Sequence, residues 1–393
     1  MQALRDRGWQ PFPFTEFVLK IHSRCNLACD YCYMYEMADQ GWRQQPKVIS
    51  PQVIEATCRN IAEHVDEHTI PQVSVVLHGG EPLLAGHQVV ESVARRLHEH
   101  LADRTTLRLG IQTNGLLLDQ EFLDIFRRWG IRVGVSLDGS EVGHDRHRRY
   151  RSGEGSHAQV VEKLKLLTEP ENRSLYSGLL CVIDLENDPM ETYAGLSACE
   201  PPAIDFLMPH GNWDQPPPGR TANRDDTPYA DWLIPLFDYW YESTRNEPSV
   251  RIFEDIIDIS LGFGRASETV GSAPMQVVVI ETDGQIEQVD TLKSAFPDAT
   301  KLGEHVSRSP LSNALWNPSI VARQLGLEAL SPACLKCPIH NICGGGHFTH
   351  RYQSATGFLN PSVYCPDLFA LISHVTRRLR SDLDVSRRNG SAR

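Results

Sequence analysis

The chain has 393 residues, 41% of them hydrophobic and 22% charged. That is the balance of a globular protein long enough for one large α/β domain and a smaller one. Its formal charge of −12 argues against a nucleic-acid or anionic-membrane surface. No stretch reaches the roughly 18 apolar residues of a membrane span, and MQALRDRGWQPFPF lacks the apolar core of a signal peptide. A cytoplasmic location is expected, where the ten cysteines stay reduced.

Strand-like and helix-like patterns alternate from the start. After an extension (1–15), EFVLKIH (16–22) reads as a strand, followed by a cysteine loop and a helix over about 51–66. QVSVVLHGG (72–80), LRLGIQTNG (107–115), IRVGVSLDG (131–139), SGLLCVI (177–183) and AIDFLM (203–208) continue the strands. Helices at about 87–101, 119–129, 156–168 and 189–199 separate them. Repeated βα units predict a parallel sheet with helices outside, and six units are too few for the eight of a full barrel. Function in such folds gathers at the C-terminal ends of the strands.

The pattern then changes. PHGNWDQPPPGRTANRDD (209–226) is a polar, Pro/Gly-rich bridge, within a bridging region 211–270. Helices are expected at 229–243 and about 250–262, and a hairpin over 275–293 with DG at its turn. Aromatic residues of the first helix (Trp232, Phe237, Tyr239, Trp240, Tyr241) are either core or one wall of a groove for a long substrate. A second cysteine cluster within 271–380, a helix around 366–380 and a disordered tail (381–393) complete the chain. There is no internal repeat.

Seven cysteines form two clusters, Cys25/Cys29/Cys32 and Cys334/Cys337/Cys343/Cys365; Cys58, Cys181 and Cys199 read as small buried residues. Thiolate clusters in a reducing compartment bind zinc or iron–sulfur groups unless they are redox active. Structural zinc wants four ligands, and a [4Fe–4S] cube usually has four thiolates. Three thiolates, Cys25, Cys29 and Cys32, therefore leave one iron open for chemistry. Gly79 and Gly80 in GGEP, ending the next strand, let a ligand approach the backbone.

At these residues the sequence resembles the radical S-adenosylmethionine (SAM) enzymes: CNLACDYC matches their C-x3-C-x-φ-C signature, and HGGEP their motif for the methionyl amino group. The resemblance implies a partial (β/α)6 barrel over 16–210, with SAM chelating the open iron and yielding a 5′-deoxyadenosyl radical. It implies SAM contacts at Tyr31, Gly79, Gly80, Glu81, Ser136 and Arg148.

CLKCPIHNIC, with Cys365 beyond it, offers four thiolates to a closed site, and on spacing alone zinc competes with iron–sulfur. Downstream of such a barrel it resembles a SPASM-like auxiliary cluster domain, which implies a second [4Fe–4S] cluster. A full SPASM domain has seven cysteines. Here Val289 and His347 stand at two of the missing positions, so one auxiliary cluster is expected to be lost and two clusters in total to remain. In the sulfatase-maturing enzymes an aspartate follows the lost cysteine and is proposed as general base. Asp290 keeps that place, and the bland alternative is a turn aspartate. His347 and His350 either line a substrate cleft or are structural.

Five stretches, from FVLKIHSRCNLACDYCYMYE to CGGGHFTHRY, resemble the Fxs-type peptide maturases, grouped with the three-residue cyclophane synthases. That resemblance implies a ribosomal precursor peptide, removal of a Cβ hydrogen and a C–C crosslink to an aromatic ring. It also implies an electron donor of ferredoxin or flavodoxin type. With about 15 residues before the first strand, no fused N-terminal leader-binding domain is expected. The rivals are a formylglycine-type sulfatase maturase, a thioether-forming enzyme, and, in another class, a non-catalytic iron–sulfur or zinc redox protein.

Overall fold

A frame of six parallel strands organises the computed structural model, which describes residues 2–221, 225–244, 247–263 and 268–390. They are β1 (Glu16–His22), β2 (Gln72–Gly79), β3 (Thr106–Thr113), β4 (Ile131–Ser136), β5 (Tyr176–Val182) and β6 (Ala203–Leu207). They pair in sequence order, each parallel to the next. Along β2 the odd residues Val73, Val75 and Leu77 are fully buried, while Ser74, Val76 and His78 are only partly so. One face of the sheet thus meets the helices and the other faces a partly open barrel interior.

Helices α1 (Gln2–Asp6), α2 (Pro51–His68), α3 (His87–Leu101), α4 (Gln120–Trp129), α5 (Glu141–His147), α6 (His157–Thr168) and α7 (Pro189–Ser197) occupy the N-terminal half. Their ends are written locally. The Ser50 side chain accepts from Val53 N–H ahead of Pro51, and Asp119 accepts from Phe122 N–H, each worth about 1 kcal/mol. Gly130 closes α4 at φ 64°, where a side chain would be strained.

The sheet continues past the expected boundary at 210. A two-residue strand β7 (Ser249–Val250) pairs with β6, between α8 (Pro228–Glu242) and α9 (Arg251–Leu261). At the other edge β8 (Val277–Ile280) lies parallel to β1, and β9 (Gln285–Glu287) and β10 (Lys301–His305) extend it antiparallel. Among the described residues one ten-stranded open sheet results, so the C-terminal region is stitched to the barrel through β1.

Of the two readings of the α8 aromatics, core holds for Trp232 and Phe237, which are buried, Phe237 against Phe253 and His374. The terminal helix runs from Cys365 to Gly390, where a disordered tail was expected, because SDLDVSRRN contains no helix breaker; 391–393 lie outside the described residues. No described helix is long and apolar enough to cross a membrane.

Candidate active site at the C-terminal ends of the strands

A cavity of about 190 Å3 opens where the strands end, and Cys25, Cys29 and Cys32 line it together with Gly79, Gly80 and Arg148. The cysteine loop is folded onto β2 by direct backbone contact. Gly80 N–H donates to His22 C=O (2.8 Å) and Glu81 N–H to Arg24 C=O (2.9 Å). A Cβ on Gly79 would stand 2.0 Å from the His22 oxygen, and one on Gly80 1.8 Å from the Tyr35 hydroxyl. The glycines therefore first serve the packing of cysteine loop on strand, rather than only the approach of a ligand as the motif suggested.

Burial pushes the Cys25 thiol up to about 12 and Cys32 up to about 11. Thiols so placed ionise only where a metal centre supplies positive charge. Asn114 supports the loop, its Nδ2–H donating to Asn26 Oδ1 at 2.8 Å and lying 3.7 Å from Cys25 Sγ. The donor set fits a [4Fe–4S] cluster held by three residues, with the neighbouring cavity left for its open iron.

Tyr31, Ser136 and Arg148 also reach the cavity. Tyr31 hydroxyl donates to Asp138, Arg148 Nη1 donates to Tyr31 Oη (2.9 Å), and Asp138 Oδ1 accepts from Val182 N–H (3.0 Å). The SLDG aspartate thus ties the cysteine loop to β5, a role the sequence did not reveal. Arg148 Nε is buried without a partner, a donor left for a ligand. Gln112 Nε2 donates to Ser136 Oγ at 3.1 Å. Glu81 departs from expectation: it is buried off the cavity wall, accepting from Leu83 N–H, Thr113 Oγ1 and Asn114 N–H (3.0, 2.7 and 2.7 Å). It is a tie between β2 and β3 and not a ligand contact.

Asp290 is neither on the cavity wall nor in a simple turn. It opens a 3-10 helix, behind a wall that includes His78 and Tyr33, and its carboxylate is clamped by Lys20 (2.8 Å) and Lys293 (3.3 Å). Burial pushes this carboxyl up, but Lys20, Lys293 and His78 outweigh it and hold Asp290 well below the ordinary carboxylate range. Lys293 also meets Glu281 (2.5 Å) and Glu287 (3.5 Å).

His347 and His350 stand behind the wall too, and neither lines the cavity. The cavity residue there is His210, after β6, whose Nδ1 lies 3.3 Å from His350 Nε2. Sequence reasoning missed His210, His78, Tyr33, Lys20 and Lys293. Tyr33 and His78 sat inside quoted motifs, whereas His210 carried no signal of its own.

The second cysteine set surrounds a smaller cavity of about 80 Å3, lined by Cys334, Cys337, Cys343 and Cys365. Gly344, Gly345 and Gly346 follow Cys343 at φ 59°, 83° and 69°, and Arg351 donates to all three of their carbonyls. A Cβ on Gly344 would meet Gly271 O at 1.6 Å, so the CGGGH run is dictated by backbone shape. Zinc bound at about 2.3 Å would draw its four sulfurs to about 3.8 Å from one another. Among the described residues, the group whose ligand atoms lie within 4.8 Å of one another is His64, Glu67 and His68, and no three of these sulfurs do. The wider spacing around a cavity fits an iron–sulfur cube. His64 itself accepts Phe14 N–H at Nε2, which leaves its proton on Nδ1 and that atom unable to ligate.

Val289, at one of the positions where a full SPASM domain has a cysteine, is packed among apolar side chains. Val289, Leu292 and Ala299 form a small apolar core with Val277, Phe348 and Phe358. His347 accepts Thr349 N–H at Nδ1 (3.4 Å) and meets Glu268 through Nε2 (3.3 Å).

Residues 19–192 match the Radical SAM superfamily. The serine-type anaerobic sulfatase-maturating enzyme of Bacteroides thetaiotaomicron is 25% identical over 386 residues, covering 93% of this chain and 91% of that protein. The cysteine-type enzyme of Clostridium perfringens is 22% identical, covering 93% and 97%. Among solved structures, native anSMEcpe with bound AdoMet and Cp18Cys peptide superposes with TM-score 0.78 at 21% identity, over 94% of this chain and 98% of that one. Streptococcus suis SuiB bound to precursor peptide SuiA gives 0.59 at 14%, over 93% and 78%. Over residues 19–192 the barrel matches the radical SAM model and shares the mixed α/β fold of the radical SAM structures it superposes on, and the residues at the ends of its strands fit the [4Fe–4S] cluster and S-adenosylmethionine of that superfamily.

Proposed function

We propose that the chain is a radical SAM enzyme that oxidises a side chain of a peptide or protein substrate by two electrons. The observation that carries this reading is the cavity: three thiols and the Arg148 guanidinium lie on its wall together with His78, His210 and Tyr33. When bound, the cluster and SAM supply a 5′-deoxyadenosyl radical that removes one hydrogen atom from the substrate. Cys25, Cys29 and Cys32 hold the cluster. Gly79 and Gly80 keep the β2 end open beside it, while Ser136 and Arg148 take the polar groups of SAM. Oxidation then needs an acceptor for one proton and one electron. Cys334, Cys337, Cys343 and Cys365 would hold an auxiliary cluster able to take up the electron, and a ferredoxin- or flavodoxin-type protein would close the electron circuit. Asp290, the base implied by sequence resemblance, stays in this reading as a carboxylate held charged one layer behind the wall.

The curated relatives mature sulfatases, which favours formylglycine formation at a serine or cysteine over the crosslinked macrocycle that the sequence put first. The macrocycle keeps one observation in its favour: Val289, which replaces a cysteine of the full SPASM pattern, is packed in an apolar cluster. Two synthetic peptides separate the readings, one with a sulfatase-type serine or cysteine site and one with aromatic residues spaced three apart, each deuterated at Cβ. Formylglycine gives an aldehyde that a hydrazide captures; a ring gives a segment that resists fragmentation. Cleavage of SAM with no deuterium reaching 5′-deoxyadenosine from either peptide would sink the proposal.

A further inference from the structure

Resting on that reading, the question is which side chain takes the proton. The acceptor has to face the cavity, carry a lone pair at neutral pH and have somewhere to send the charge. The cysteines on the wall are ligands and its tyrosines are protonated, which leaves His78 and His210. His78 is surrounded by Lys20 and Lys293, which oppose a positive imidazole, and by Asp290, which favours one, but its Nδ1 lies 3.0 Å from Gly79 C=O, a carbonyl that cannot take a proton onward.

His210 is placed differently. Its ring meets Tyr33 edge-on at 4.9 Å between centroids, and its Nδ1 shares a proton with His350 Nε2 at 3.3 Å. His347 packs 5.5 Å from His210 and 4.8 Å from His350. Because His347 Nδ1 accepts Thr349 N–H, its proton sits on Nε2 and points at Glu268. The charged groups around the trio are Glu268, with Arg323 paired to it, and Arg351. Glu268 pulls a proton toward His210, against burial and His347.

We propose that His210 is the catalytic proton acceptor of this enzyme, with His350 and His347 as positioning residues that spread the resulting charge toward Glu268. After hydrogen-atom removal the substrate would give up one electron, which a cluster held by Cys334, Cys337, Cys343 and Cys365 would be placed to take up. The oxidised substrate carbon or oxygen then gives its proton to His210 Nε2, while His210 Nδ1–H stays hydrogen-bonded to His350 Nε2. The charge on substrate falls by one and that on the histidine pair rises by one. Burial holds His210 down to about 3, yet a cationic ring or protonated carbonyl is a far stronger acid, so a weak, dry base suffices.

The test uses the reconstituted holoenzyme with the two deuterated peptides. His210→Gln is expected to keep iron content, peptide affinity and deuterium transfer to 5′-deoxyadenosine. Product per 5′-deoxyadenosine should fall at least tenfold. His350→Gln should fall less, and His210→Ala should regain product when imidazole is added. Nitrogen NMR of histidine-labelled protein should show His347 as the Nε2–H tautomer. If His210→Gln makes product within twofold of wild type, or Asp290→Asn alone uncouples product from hydrogen transfer, the assignment is overturned. If the wild type moves no deuterium from either peptide, the functional reading fails and His210 loses its role with it.

Discussion

Replacing Lys20 by methionine tests the buried charge network beneath the site. Lys20 is 1% exposed and sits 2.8 Å from Asp290, which is 7% exposed. The network holds the ammonium groups of Lys20 and Lys293 against the carboxylates of Asp290, Glu281 and Glu287. Lys20→Met keeps the length of the side chain but removes the Nζ that donates to Met34 Sδ (3.3 Å), and leaves one ammonium for three acids. Removing one partner of a buried pair costs about 3–5 kcal/mol, because the other charge stays buried. Unfolding entropy of about 2.1 cal/mol/K per residue over 393 residues turns this into a Tm lower by roughly 4–6 °C.

The sign with pH follows from the direction of the Asp290 shift. In the wild type its carboxyl is depressed, so the stability it contributes is present at neutral pH and lost only as pH falls through the depressed value. In Lys20→Met that acid limb should move to higher pH. The assay is thermal unfolding of the anaerobic, reconstituted protein between pH 4 and 8. Lys20→Met/Asp290→Leu, which removes both charges, should recover most of the loss. A single variant within 1 °C of wild type, or a double variant as unstable as the single, would refute the reasoning.

Glu287→Gln should act in the opposite direction. Burial pushes Glu287 up to about 7 against the pull of Lys293, so its folded form holds a proton that the unfolded chain releases near the ordinary carboxylate value. Wild-type stability should therefore decline as pH rises through that window, by up to about 3 kcal/mol; the glutamine variant should lack the decline, read as Tm against pH. Gly79→Ala should cost the first cluster, since its Cβ would meet the His22 carbonyl at 2.0 Å; iron content falling from about eight to about four per chain checks this. Cys365→Ala should give a similar loss of iron at the other site while SAM cleavage survives. Asp119→Ala should destabilise by about 1 kcal/mol through loss of the α4 cap, measured by denaturant titration.

What the sequence made legible is what short stretches determine. The inner strands carry apolar runs with a period of two, and α3 runs over His87–Leu101 as its spacing predicts. The cysteine sets and the glycine motif are equally local, because a small cluster must be gripped by a short loop. What stayed hidden depends on groups that meet only after folding. Nothing in VVVI announces that β8 will lie along β1, and nothing near Asp290 announces Lys20, which reaches it from the first strand. Glu81 was misread for the same reason: its partners Thr113 and Asn114 come from the next strand.

Histidines show the limit most clearly. His347 drew notice because it stands where a cysteine was expected, and the structure places its Nε2 against Glu268, away from the cavity. His210 drew none, yet it lines the cavity. A cysteine set is legible because the cluster it holds imposes spacing on the chain. A single base imposes nothing on its neighbours in sequence; it needs one open side and a partner behind it, here His350 from the far end of the chain. The residues proposed to bind the cofactor are therefore readable before the fold is known, and the proposed proton acceptor only afterwards.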